Sequence, residues 1–332
     1  MRILVTGACG FIGSHLVEKL VKQNYKVKAF TFYNARGSNG WLDNIDRNVI
    51  KDLEIVSGDI RDHEFLINCS KKTDIIFHLA ALISIPYSYS APRSYLNTNT
   101  LGTINILEAA RRSKWERVIA TSTSEVYGTA IKTPIDENHP IQAQSPYAAS
   151  KIAADLFLES YVRSFNVPAV ILRPFNTYGP RQSERAVIPS IIRQVLDDRI
   201  KNIKIGSLDT KRDFNYVIDT VEAFISLAKA NRKKIEFGGV YNAGNGKAIS
   251  IENVLKKIVE LTGTNKKIII DKKRIRPKNS EVHNLIASSI KLNKLTNWNP
   301  TFTLEEGLQN TIDWWKKRKH KDKIRSSKNY AI

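Results

Sequence analysis

Two short runs hold side chains suited to moving protons. The first is Thr121-Ser122-Thr123-Ser124-Glu125, a string of hydroxyls ending in a carboxylate. The second is Ser145-Pro146-Tyr147-Ala148-Ala149-Ser150-Lys151. Residues four apart share one face of a helix, so Tyr147 and Lys151 are expected to be neighbours. An ammonium beside a phenol favours the phenolate and lowers a pKa that is ordinarily about 10. Tyr147 is therefore a candidate acid/base near neutral pH. A third run, Gly7-Ala8-Cys9-Gly10-Phe11-Ile12-Gly13, follows a short apolar stretch. Its G-x-x-G-x-x-G spacing lets the backbone turn sharply and approach a pyrophosphate at the N-terminus of the next helix.

These runs need a frame. Short β-branched stretches at Arg2–Thr6, Lys26–Phe30, Leu53–Val56, Asp74–Phe77, Val118–Thr121 and Ala169–Leu172 read as strands. Helical stretches lie between them at 11–21, 61–70, 92–112 and 146–165, the first placing Ile12, Leu16, Val17 and Leu20 on one face. Such alternation implies parallel βαβ units with right-handed crossovers. The fold class expected is α/β, a Rossmann-type doubly wound parallel sheet with a smaller mixed C-terminal substrate domain. Residues 1–172 would form the dinucleotide-binding domain, joined by part of 214–242, and residues 173–315 the substrate domain. Helices are expected near 188–197, 220–229, 251–261 and 304–315.

The end of strand two ordinarily offers an acid to an adenine ribose. Here it holds Thr31, no Asp or Glu falls between Glu18 and Asp43, and Arg36 is available to a 2′-phosphate. The expected cofactor is NAD or NADP, leaning toward NADP.

At 332 residues the chain can bury a large core without staples, and 42% hydrophobic and 25% charged residues exclude a disordered chain. No apolar run approaches the length of a membrane span, and the N-terminal one is too short for a signal-peptide core. Cys9 and Cys69 provide neither a disulfide framework nor a metal quartet, so no metal site and a reducing, cytoplasmic location are expected. The net charge is +20. Residues 316–328 carry eight Lys/Arg against one Asp, which reads as a frayed basic tail over 316–332 that turnover can spare. The rest of the charge shows no nucleic-acid motif.

Taken in order, these runs resemble the extended short-chain dehydrogenase/reductases that act on nucleotide sugars. The resemblance covers roughly residues 1–315. It includes Gly58-Asp59-Ile60, His78-Leu79-Ala80-Ala81, Asn99 and Arg173-Pro174-Phe175-Asn176-Thr177-Tyr178-Gly179-Pro180-Arg181. It implies a cofactor held by Gly7, Gly10, Phe11, Ile12, Gly13, Asp59, Ile60, Leu79, Ala80, Ala81, Asn99, Tyr147 and Lys151. Thr123-Ser124-Glu125 looks like the 4,6-dehydratase branch, with Ser124 where related enzymes carry Asp. Ile85–Tyr89 and the 181–189 run are most like the N-acetylglucosamine-nucleotide dehydratase of legionaminic-acid biosynthesis. By that likeness Tyr147 and Glu125 are the bases, Thr123 binds the sugar O4, and Lys151 holds the nicotinamide ribose. Asn176, Arg181, Arg212 and Arg276 bind the substrate, a nucleotide-diphosphate sugar. A decarboxylase of nucleotide-linked glucuronates and a 4-epimerase share much of this set. The resemblance also implies a homodimer through the helices at 92–112 and 146–165.

Overall fold

In the computed structural model of the chain, the described residues are 1–113, 115–275, 277–282 and 284–321. Seven strands form one parallel sheet. They are β1 (Arg2–Thr6), β2 (Lys26–Phe32), β3 (Leu53–Gly58), β4 (Ile75–His78), β5 (Arg117–Thr121) and β6 (Ala169–Pro174), joined later in the chain by Val240–Ala243. The spatial order is that late strand, then β6-β5-β4-β1-β2-β3. Side chains alternate between two cores, as a strand requires. Ile3 and Val5 pack with Leu16 and Leu20 of the first helix, Phe11–Lys22, and with Phe224 of the Val217–Lys229 helix. Leu4 and Ile76 pack on the other face with Ile106 and Leu158, from the helices Gly102–Arg112 and Pro146–Phe165. The expected α/β class and parallel sheet are what the structure shows.

Beyond β6 the strands are short. They are β7 (Asn176–Tyr178), β8 (Asn202–Ile205), β9 (Lys211–Tyr216), then β10 (the Val240–Ala243 strand of the large sheet), β11 (Ala248–Ser250), β12 (Lys267–Ile270) and β13 (Asn284–Leu285). β9 pairs with β7, β11 and β13, and β8 with β12. A separate core covers them, built from Ile188, Ile191, Val254, Ile258, Leu308 and Ile312 of three helices.

Two expectations are corrected. The stretch 92–112 is not one helix: a short turn at Pro92–Tyr95 runs into a π-helical turn, Leu96–Leu101, before the regular helix Gly102–Arg112. Among the described residues the last helix also continues past Trp315, running from Leu304 to Lys321. The Arg318 guanidinium stacks 4.6 Å from the Trp41 ring and 5.4 Å from Trp314, which gives that helical turn a tertiary partner. Among the described residues, no helix is long and apolar enough to cross a membrane.

Candidate active site

The C-terminal ends of β1, β4 and β5 bring the chemistry-bearing residues to one edge of the sheet. Gly7 takes φ +67°, and a Cβ there would lie 2.7 Å from the Ala80 nitrogen. A Cβ on Gly13 would meet the Gly7 carbonyl oxygen at 2.2 Å. Both positions require glycine, and the helix opening at Phe11 has no side-chain cap. The turn thus offers bare backbone N–H groups, which suits a dinucleotide pyrophosphate. Thr6 Oγ1 accepts from the Leu79 and Ala80 nitrogens at 3.2 Å each, fixing the wall formed by Leu79, Ala80 and Ala81. Asn99 sits in the π-helical turn, where such a bulge re-aims a side chain. Its Oδ1 accepts from Leu82 N, and its Nδ2 donates to Leu82 O and to Ser150 Oγ. Ile60 is buried against Gly102. The Asp59 carboxylate is engaged by Arg61, whose hydrogen bonds hold its pKa below the usual range. Thr31 is buried on Ser57 at 2.9 Å and Arg36 is exposed.

Ser145 caps the Pro146–Phe165 helix by accepting from Ala148 N, which sets the register of Tyr147 and Lys151. Thr123 caps the next turn, Ser124–Tyr127, by accepting from Glu125 N at 3.2 Å. Tyr147 is buried, hydrogen-bonded to the Thr123 side chain, and edge-on to Tyr95 at 6.1 Å. Ser124 is buried and Glu125 half-buried, close enough for its charge to act on Tyr147.

The expected tuning of Tyr147 by Lys151 is not what the structure shows. Burial raises the phenol pKa, the Thr123 hydrogen bond opposes it, and Glu125, Tyr95 and Asp155 add to the rise. Desolvation wins because the phenolate is the charged form. Lys151 Nζ instead donates to the Thr121 carbonyl at 2.5 Å, and burial lowers its pKa to about 8.

A cavity of about 250 Å³ lies among the elements of the smaller sheet, with Asn176, Arg185, Lys204, Arg212 and Arg274 among its walls; Thr123, Glu125, Tyr147 and Lys151 do not line it. Asn176 Oδ1 is buried without a hydrogen-bond partner among the described residues. Arg212 is buried, with Nη2 3.2 Å from Glu281 Oε1. Arg181 is turned away: it takes φ +69° and its guanidinium pairs with Glu18 and reaches Ser14 Oγ at 3.2 Å on the first helix. The adjacent Glu18 carboxylate outcompetes a solvent-facing pose. Arg276 lies outside the described residues. Arg185 and Arg274 occupy the cavity wall instead, and nothing in the sequence distinguishes Arg274 from its basic neighbours.

The sequence profile of the GDP-mannose 4,6 dehydratase family matches residues 4–311. The chain belongs to that family. It is 32% identical to the human dTDP-D-glucose 4,6-dehydratase over 96% of this chain and 91% of that one. It is 34% identical to a putative UDP-glucose 4-epimerase of Methanocaldococcus jannaschii, over 95% and 98% of the two chains. A dTDP-glucose 4,6-dehydratase from Bacillus anthracis, solved in complex with NAD, superposes with a TM-score of 0.83 at 29% identity, over 96% and 98%. The dehydratase family thus includes relatives with different outcomes on the sugar ring, so the fold alone does not select the reaction.

Proposed function

We propose that the chain is a nucleotide-sugar 4,6-dehydratase that converts a nucleoside-diphosphate hexose to its 4-keto-6-deoxy form, with NAD or NADP bound throughout the cycle. The observation that carries this reading is the placement of Glu125. It lies in the turn that Thr123 caps, two residues on, and its charge acts on Tyr147, so a second base stands beside the Thr–Tyr pair. A nicotinamide cofactor supplies a hydride acceptor that can return the hydride. The glycine turn, Ile60, Leu79–Ala81, Asn99 and Lys151 would hold it, with Asp59 at the adenine edge.

Tyr147 is the group placed to take the O4 proton of the sugar as C4 is oxidised, although burial alone favours its neutral form, and Thr123 hydrogen-bonds O4 and orients it. The resulting ketone acidifies the C5 proton, which Glu125 removes while hydroxide leaves C6 and is protonated to water. Ser124 cannot serve as a carboxylic acid, so Glu125 returns its own proton to the departing group. A nicotinamide held there would return the hydride at C6 as a proton is added at C5, leaving no net redox change. Arg212, Asn176 and the cavity arginines suit a diphosphate, because guanidinium forks match phosphate oxygens. The likeness at Ile85–Tyr89 and in the 181–189 run favours UDP- or GDP-N-acetylglucosamine, as in legionaminic-acid biosynthesis. A homodimer through the 92–112 and 146–165 segments is part of the same proposal. Leu96, Leu101, Leu156, Phe157 and Phe165 leave an exposed apolar face there.

The test is to incubate the protein with a panel of nucleotide sugars and weigh the products. Loss of water supports a dehydratase, loss of carbon dioxide a decarboxylase, and unchanged mass with a new sugar an epimerase. Glu125→Gln is expected to lower dehydration by about 10²–10⁴-fold while reduced-cofactor absorbance still develops, since C4 oxidation does not use the carboxylate. Dehydration at the wild-type rate in Glu125→Gln would overturn the assignment.

A further inference from the structure

Three consecutive residues leaving β5 bond to three residues of one helix face. Thr123 pairs with Tyr147, the Thr121 carbonyl accepts from Lys151 at 2.5 Å, and Ser122 Oγ donates to Asp155 Oδ2 at 2.7 Å. Positions 147, 151 and 155 are successive turns of that face. The first two pairs belong to the proposed chemistry, and the third is left over.

Asp155 is buried among groups from several elements. Besides Ser122, it accepts from Arg173 Nε at 3.2 Å and from Arg173 Nη2 at 2.9 Å, both from β6. Arg173 lies 4.9 Å over the Tyr127 ring, and the Tyr127 hydroxyl donates to Asn242 Oδ1 at 2.8 Å on β10. One carboxylate thus ties the segment leaving β5, β6 and the 146–165 helix together one helical turn after Lys151, with Tyr127 and β10 beyond Arg173. A purely structural ion pair could be replaced by apolar packing at little cost to stability. Asp155 differs in acting on a lysine that must keep its charge in a dry setting.

We propose that Asp155 is a positioning residue for the active site, seating Lys151 and keeping its ammonium charged through the Ser122–Asp155–Arg173 network. The inference rests on the reading that Lys151 and Tyr147 are catalytic. Burial works against the ammonium, and Asp155 is the group that opposes burial. The other groups facing this pair are few. His78 of β4 is kept neutral by burial, Glu125 and Tyr95 face Tyr147, and Arg173 of β6 is paired with Asp155 itself. Removing the carboxylate would leave desolvation of the charged lysine unopposed.

The experiment follows Lys151 directly, with no substrate needed. Holoenzyme carrying ε-¹³C-lysine is titrated by NMR, the Lys151→Arg variant identifying the signal. In Asp155→Asn the Lys151 midpoint is expected to fall by about one pH unit or more, the size of shift a close opposite charge produces. In Arg173→Gln, which leaves the carboxylate unshared, it is expected to rise. If Asp155→Asn does not fold, Arg173→Gln alone decides. A merely structural network would not move the midpoint in opposite directions, so an unmoved midpoint in the folded variants overturns the proposal. Failure of the underlying reading looks different: Lys151→Met would then still turn over the nucleotide sugar.

Discussion

His15 shows how one residue couples the glycine turn to the rest of the chain. Its Nε2 is 3.0 Å from the Pro180 carbonyl, and burial plus the neighbouring Arg181 lower its pKa to about 4. An unfolded histidine takes up a proton below about 6.5, whereas this one stays neutral until about 4. The unfolded state therefore binds more protons in that window, and stability falls as pH drops through it. His78, lowered to about 3 between Thr6 and Thr103, acts in the same direction. Denaturant unfolding at several pH values should show the slope between pH 6.5 and 4 reduced in His15→Asn by up to about 1.4 kcal/mol per pH unit. An identical slope would mean that His15 charges in the folded protein. Tyr147, Lys151 and Thr123 could be read from the sequence because a four-residue spacing and a strand-end hydroxyl run have one geometric meaning. Arg181 could not be placed, since its partner Glu18 is distant in the chain and no local pattern couples them.

The same contrast holds for the secondary structure. Strands β1, β4, β5 and β6 are legible because buried parallel strands are continuous β-branched runs. The π-helical turn around Asn99 is not, since Leu96–Leu101 has the composition of ordinary helix and the extra residue is revealed only by the bonds to Leu82 and Ser150. The C-terminal helix is the larger surprise. Trp41 N donates to the Cys9 carbonyl at 3.0 Å, so Arg318, stacked on Trp41, braces the glycine turn from behind. Ending the chain after Trp315, or making Arg318→Ala, should weaken NAD(P) binding by up to about fivefold, the equivalent of a cation–π contact of roughly 1 kcal/mol. Calorimetric titration with the cofactor checks this, and unchanged affinity would make the segment as dispensable as its composition suggests.

The exposed apolar face of the molecule carries its own prediction. Leu156 and Phe157 are 54% and 42% exposed on the 146–165 helix, and Leu101 is 46% exposed on the neighbouring segment. Placing a lysine at the centre, Leu156→Lys, should convert a dimer into monomers in analytical ultracentrifugation with the monomer fold intact. A wild-type protein that sediments as a monomer would remove the basis for that expectation. The strand order of the large sheet bears on how the chain is made. β6 is buried along its whole length between β5 and β10, yet β10 begins at Val240. A chain emerging from the ribosome must therefore keep an apolar strand edge waiting until residue 243 has appeared, long after β1 to β6 are synthesised. Such an edge is a template for pairing with other chains, and late non-local pairing is slow. A gene cut at residue 172 would give a piece that lacks the seventh strand, and that piece is expected to aggregate through the uncovered β6 edge.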